Sequence, residues 1–153
     1  MRTRFIADTM LGKLAKWLRV MGFDCHCQSA YRERDVDSLV RQGSIFLSRD
    51  KTLTKDYPGS MFIKSNDIGG QLNEVREAGY LISNLSEYFS RCLICNTPLH
   101  ETSPAEAENK IPEYIFHQNR TGISFCPSCN RYFWPGSHRE RMLKKLEEWG
   151  IGS

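Results

Sequence analysis

Apolar positions along this chain repeat first with the period of strands and then with that of helices. RFIAD (Arg4 to Asp8) is a short apolar run closed by an acid, the pattern of a buried strand that ends at a loop. From Leu11 to Met21, the residues Leu11, Leu14, Ala15, Leu18 and Met21 keep helical spacing. Lys13 and Lys16 fall on the opposite side, and Gly22 suits the helix stop. A second strand fits Cys25 to Gln28. DVDSLVRQG (Asp35 to Gly43) reads as a short helix capped by Asp35 and stopped by Gly43, and SIFLS (Ser44 to Ser48) as a buried strand followed by Asp50. The pattern then predicts a strand at Met61 to Lys64 and a helix at Asp67 to Ala78, with Gly79 behind it. Strands alternating with helices predict an α/β fold, with a parallel sheet covered by helices on both faces.

The pattern changes at Arg91. Strands are expected at Ile111 to His117 and Tyr132 to Trp134, a polar loop at Glu101 to Lys110, and a charged final helix at His138 to Trp149. The expected division is therefore an α/β domain over 1–90, a small module over 91–136, and a helix with its tail over 137–153. Within the module, Cys92/Cys95 and Cys126/Cys129 form two CxxC pairs, which together supply the four sulfurs of a structural zinc site. Asn96 and Asn130 follow the two pairs, and asparagine tolerates the left-handed backbone of a tight metal turn. A redox or disulfide role is the alternative use of these cysteines. Cys25 and Cys27 flank His26, but on a strand the two thiols share one face and the imidazole points away, so buried free thiols are expected.

Composition narrows the class. The 153 residues are 40% hydrophobic and 25% charged, enough for one ordinary domain with a core. A net charge of +3 is compatible with a nucleic-acid partner without arguing for one. No run approaches the ~20 apolar residues of a membrane span, and the N-terminus lacks the apolar stretch of a signal peptide. With four cysteines assigned to metal, a reducing, cytoplasmic location is expected.

Asp8 and Asp50 each follow a strand, and Asp35 opens the helix that leads to the second of these strands. In parallel α/β sheets, functional groups gather beyond the carboxyl ends of the strands. Three acids there can share a divalent cation, and an oxygen-only donor set favours Mg²⁺ or Mn²⁺. Such an ion activates water and stabilises charge on a phosphate under attack. Helix capping is the competing use of Asp8 and Asp35. Glu33, Asp37, Asp56 and Asp67 are weaker candidates.

ADTMLGKLAKWLRVMGFD, FLSRD, RCLICNTPL and CPSCNRYFWPGSH, in that order, resemble the Mut-seven C-terminal RNase domain family, from about Arg4 to Met142. The resemblance implies a PIN-like α/β nuclease domain with a C-terminal zinc ribbon. It further implies hydrolysis of RNA, single-stranded by expectation, with divalent metal held by acids at Asp8, Asp35 and Asp50. Ser48 stands where the family motif has threonine, and Asp37 is an alternative to Asp35. A catalytically weak RNA-binding or ribosome-associated adaptor is the alternative function. Lys13, Lys16, Arg19 and Arg49 are the candidate phosphate contacts, with a solvated helix face as their other reading. Tyr132, Phe133, Trp134 and His138 can either stack bases or dock the ribbon onto its neighbour.

Overall fold

The computed structural model describes residues 2–27, 33–82 and 84–151. Strands β1 (Phe5–Ala7), β2 (Cys25–Cys27), β3 (Ile45–Ser48) and β4 (Met61–Phe62) form one sheet in the order β2-β1-β3-β4, every neighbouring pair parallel. Helices α1 (Gly12–Val20), α2 (Glu33–Arg41), α3 (Lys51–Asp56) and α4 (Ile68–Glu77) connect or follow the strands.

Alternation along β1 explains how the sheet is covered. Phe5 and Ala7 face a core that includes Leu14 and Leu18 of α1 and Leu72 and Val75 of α4. Ile6 faces the other way, into a smaller core with Val36 of α2, Phe46 and Tyr57. A strand buried on both faces has to be apolar throughout, as RFIA is. On α1, Lys13 and Lys16 are exposed. Gly22 follows the end of α1 with φ +86°, and a Cβ there would lie 2.3 Å from the Glu87 carbonyl oxygen.

A second sheet of β5 (His100–Glu101), β6 (Ser124–Cys126) and β7 (Arg131–Phe133) is antiparallel. It carries its own small core of Ala107, Ile111 and Ile123, with Phe116, Tyr132 and Trp134 packed against it. The final helix, α7 (Ser137–Glu148), returns to the first lobe, where Met142 and Leu146 join the main core. Trp149 packs edge-on against Trp17 at 4.9 Å, and its carbonyl accepts from Asn73 Nδ2 at 3.1 Å.

Several expectations need correction. Ile111 to His117 is not a strand: Pro112 precedes the helix α6 (Glu113–Gln118). Its Ile115 lies four residues from Ile111, and both join one core, a helical rather than a strand spacing. The expected loop at Glu101 to Lys110 contains part of β5 and the short helix α5 (Pro104–Ala107). Ser103 caps that helix by accepting from Glu106 N, and the Ser-Pro-Ala-Glu run is a capping-box signature. Helix α2 begins at Glu33, so Asp35 lies inside its first turn and is not its cap. Helix α3, with Asp50 as its cap, was not expected. The proposed extension of β2 to Gln28 and the side chain of Glu33 lie outside the described residues.

Candidate active site and metal centre

β1 and β3 are adjacent in the middle of the sheet, so their carboxyl ends place Asp8 beside Ser48. Asp8 is 3% exposed and caps the 3-10 turn Thr9–Leu11, its Oδ1 accepting from Met10 N at 2.9 Å. Its Oδ2 accepts from the Ser48 hydroxyl and from Arg49 N at 3.0 Å. A buried carboxylate is tolerable only with donors of this kind around it. Ser48 Oγ in turn accepts from Asp50 N at 2.9 Å, so one buried hydroxyl joins the two acids' segments. Asp50 caps α3, with Oδ1 accepting from Thr52 N at 2.8 Å and Leu53 N at 3.3 Å.

Arg49 stands at the same edge. Its Nη2 donates to the Lys64 carbonyl at 3.1 Å and to Asn66 Oδ1 at 2.7 Å, while its buried Nε has no hydrogen-bond partner among the described residues. The loop that receives it is pinned by Glu74, which accepts from Lys64 N at 3.0 Å and Ser65 N at 2.8 Å. Burial alone would push the Glu74 carboxyl up, but these bonds outweigh it and hold the group below the usual carboxylate range.

Asp35 and Asp37 are half-buried on α2, Asp56 is exposed at the end of α3, and Asp67 caps α4. Among the described residues, the four cysteines are the only group of three or more His, Cys, Asp or Glu side chains placed to share an ion. Asp8, Asp35 and Asp50 do not form a second one. The oxygen chemistry nevertheless suits a hard cation. Each carboxylate oxygen has two lone pairs. Asp8 Oδ1 accepts a single bond, and Asp50 Oδ2 accepts none among the described residues.

Arg19 requires a correction. It is 8% exposed and does not face solvent: Nε donates to the Cys25 carbonyl at 2.9 Å, and Nη1 to the Leu93 and Ile94 carbonyls at 3.1 Å each. A guanidinium held this way fastens the first cysteine turn to the edge strand β2 and is not available to a phosphate. Asn96 completes the joint, accepting from Cys25 N at 3.0 Å and donating to Asp24 Oδ1 at 2.7 Å. Sequence spacing placed Arg19 correctly on α1 but held no signal of a partner more than seventy residues away.

The sulfurs of Cys92, Cys95, Cys126 and Cys129 all lie within 4.8 Å of one another, with Cys92–Cys129 at 3.9 Å and Cys95–Cys126 at 3.5 Å. Zinc–sulfur bonds of about 2.3 Å in a tetrahedron put sulfurs about 3.8 Å apart, so the quartet fits zinc. Asn96 and Asn130 adopt φ +72° and +56°, the left-handed turns their positions predict. Crowding divides the thiols. Hydrogen bonding with Cys95, then burial, pushes Cys129 up to about 12. At Cys95 burial acts upward, but bonds from Thr97 and the other cysteines bring it down to about 6. The CHC triplet stays outside the quartet. Cys25 is buried, and its thiol is pushed up to about 12 by that burial.

The fold and its sites define a class: a parallel α/β lobe with acids at its carboxyl edge, joined to a four-cysteine ribbon. Residues 3–146 match the family model described as the Mut7-C RNAse domain, and the chain belongs to that family. No curated protein and no solved structure matches it significantly. Membership in a ribonuclease domain family points to RNA as the substrate. Among the described residues, no helix is long and apolar enough to cross a membrane.

Proposed function

We propose that the chain is a divalent-metal-dependent ribonuclease of PIN-like design, with its reacting centre at the carboxyl edge of β1 and β3. The observation that carries this reading is the Asp8–Ser48–Asp50 network in a chain of this family. Asp8, Asp50 and Asp35 would hold Mg²⁺ or Mn²⁺, which when bound supplies an activated water and charge stabilisation at the phosphate. Ser48 fixes the Asp8 carboxylate and the start of α3 relative to each other. Arg49, braced by Lys64 and Asn66, offers a fixed positive charge to a phosphodiester at this edge. Lys13 and Lys16 extend that charge along α1. The cysteine quartet holds zinc and keeps the ribbon folded.

The test is cleavage of end-labelled single-stranded RNA with added Mn²⁺ or Mg²⁺, using zinc-loaded protein. Asp50→Asn keeps a good helix cap, so a loss of at least about 100-fold in rate would report chemistry rather than folding. Asp8→Asn turns an amide donor toward groups that already donate, so its melting curve is recorded beside its activity. Unchanged cleavage by both variants sinks the assignment. A second reading, an RNA-binding adaptor with weak catalysis, draws on the acids' failure to form one ligand cluster. RNA bound by wild type and variants alike, with no metal-dependent cleavage, would favour it.

A further inference from the structure

The ribbon buries one side of α6 and leaves the other without a structural task. Ile115 and Phe116 pack onto the Ala107–Ile111–Ile123 core, whereas Tyr114 is 66% exposed, the only aromatic among the exposed large apolar side chains described. Between α6, β7 and the start of α7 lies an open cleft of about 680 Å³. Its walls include Tyr114, Tyr132 and Trp134, with the polar tips of Gln118, Asn119 and His138 set among them. This volume falls in the range of roughly 300–1,000 Å³ usual for sites that take small ligands or single groups of a larger one.

The chemistry of the lining selects the occupant. Flat aromatic faces beside amide and imidazole groups match a ligand that is planar and apolar on its faces and hydrogen-bonding at its edges. Asn119 Nδ2 already donates to the Ile115 carbonyl at 3.1 Å, but a wholly apolar occupant would strip water from Gln118 and His138 and offer them no bond in return. A phosphate alone would find no Lys or Arg in the wall, which instead carries Glu140. We propose that this cleft receives unpaired nucleobases of the RNA substrate, stacking them on Tyr114, Tyr132 and Trp134. The proposal rests on the ribonuclease reading and adds to it a grip on the bases, located in the ribbon and separate from the acids. Phe133 and Trp134 also line a small cavity with Phe89, Leu93 and Met142, between the ribbon and the first lobe.

The experiment uses the full zinc-loaded chain without added Mg²⁺ or Mn²⁺, so that RNA is bound and not cut. A labelled single-stranded oligoadenylate is compared with an abasic ribose-phosphate oligomer of the same length, at low and high salt. Wild type should prefer the oligomer with bases. Tyr114→Ala, at an exposed position that cannot unfold the ribbon core, should weaken oligoadenylate binding roughly tenfold. Tyr114→Phe should restore it, Gln118→Ala should weaken it less, and the Tyr114→Ala loss should persist at high salt, since stacking releases no counterions. Equal affinity for the two oligomers, or an unchanged Tyr114→Ala, overturns the cleft. If metal-dependent cleavage of RNA is then still present, only the cleft falls. If wild type neither binds nor cuts RNA, the ribonuclease reading falls with it.

Discussion

Asp8 is a residue on which folding and the proposed chemistry draw on the same two oxygens. Three protein donors already bond its carboxylate, and they come from both sides: Met10 from its own turn, Ser48 and Arg49 from the end of the neighbouring strand. The acid is thereby fixed in orientation before any ligand arrives, a condition for catalysis by preorganised groups. Glu74 plays a simpler part, holding the loop against which Arg49 is braced. Because its folded pKa is depressed, its stabilisation is present above the unfolded value of about 4.3 and is lost as pH falls through the folded value. Glu74→Gln should therefore cost roughly 1 kcal/mol at neutral pH, and the gap to wild type should narrow as the pH falls below the unfolded value and through the depressed folded one. Urea denaturation of both proteins across pH 3 to 7 checks this, and a gap that widened on acidification would contradict it.

At the scale of elements, the α/β half was the more legible. The apolar run of β1, the spacing on α1 and the glycines behind the helices are local signals, and the structure follows them. The ribbon half was read less well because short elements in a small module answer to few residues. Pro112 and the capping box at Ser103 are local signals of α6 and α5, whereas IPEYIFH is rich in the β-branched and aromatic residues that also fit a strand. Asp35 looks like a cap in the sequence, but two further helical residues precede it. Asp8 and Asp50 are visible in the sequence as strand-end aspartates; the Ser48 bridge and the Arg19 staple are not, since each depends on which strands and loops become neighbours. Gly22 is the element-scale test. Its positive φ and the 2.3 Å approach of a Cβ to the Glu87 carbonyl leave no room for a side chain. Gly22→Ala should destabilise the protein by about 2 kcal/mol or more, read as a lowered thermal midpoint. A midpoint within a degree of wild type would show that the α1–β2 connection and the 87–90 turn can move apart.

At the scale of the whole molecule, the two halves are fastened at two places. Arg19 and Asn96 tie the first cysteine turn to β2, and α7 brings Met142, Leu146 and Trp149 back onto α1 and α4. Zinc at the quartet should therefore stabilise more than the ribbon. Stripping the metal with a chelator, or substituting Cys95→Ser, should release the ribbon and raise amide hydrogen exchange in β2 and α1 as well. Protection that fell in residues 91–136 alone would mean that the first lobe stands by itself, and normal zinc content in Cys95→Ser would remove the site assignment. The long reach of Arg19 also orders events during synthesis. Its guanidinium leaves the ribosome some seventy residues ahead of the carbonyls of Leu93 and Ile94. At 5–20 residues per second that is a wait of roughly 4–15 s. For that interval Arg19 Nη1 is without the two carbonyls that receive it in the finished fold, so the tie between β2 and the ribbon is a late event that only the second half of the message can complete.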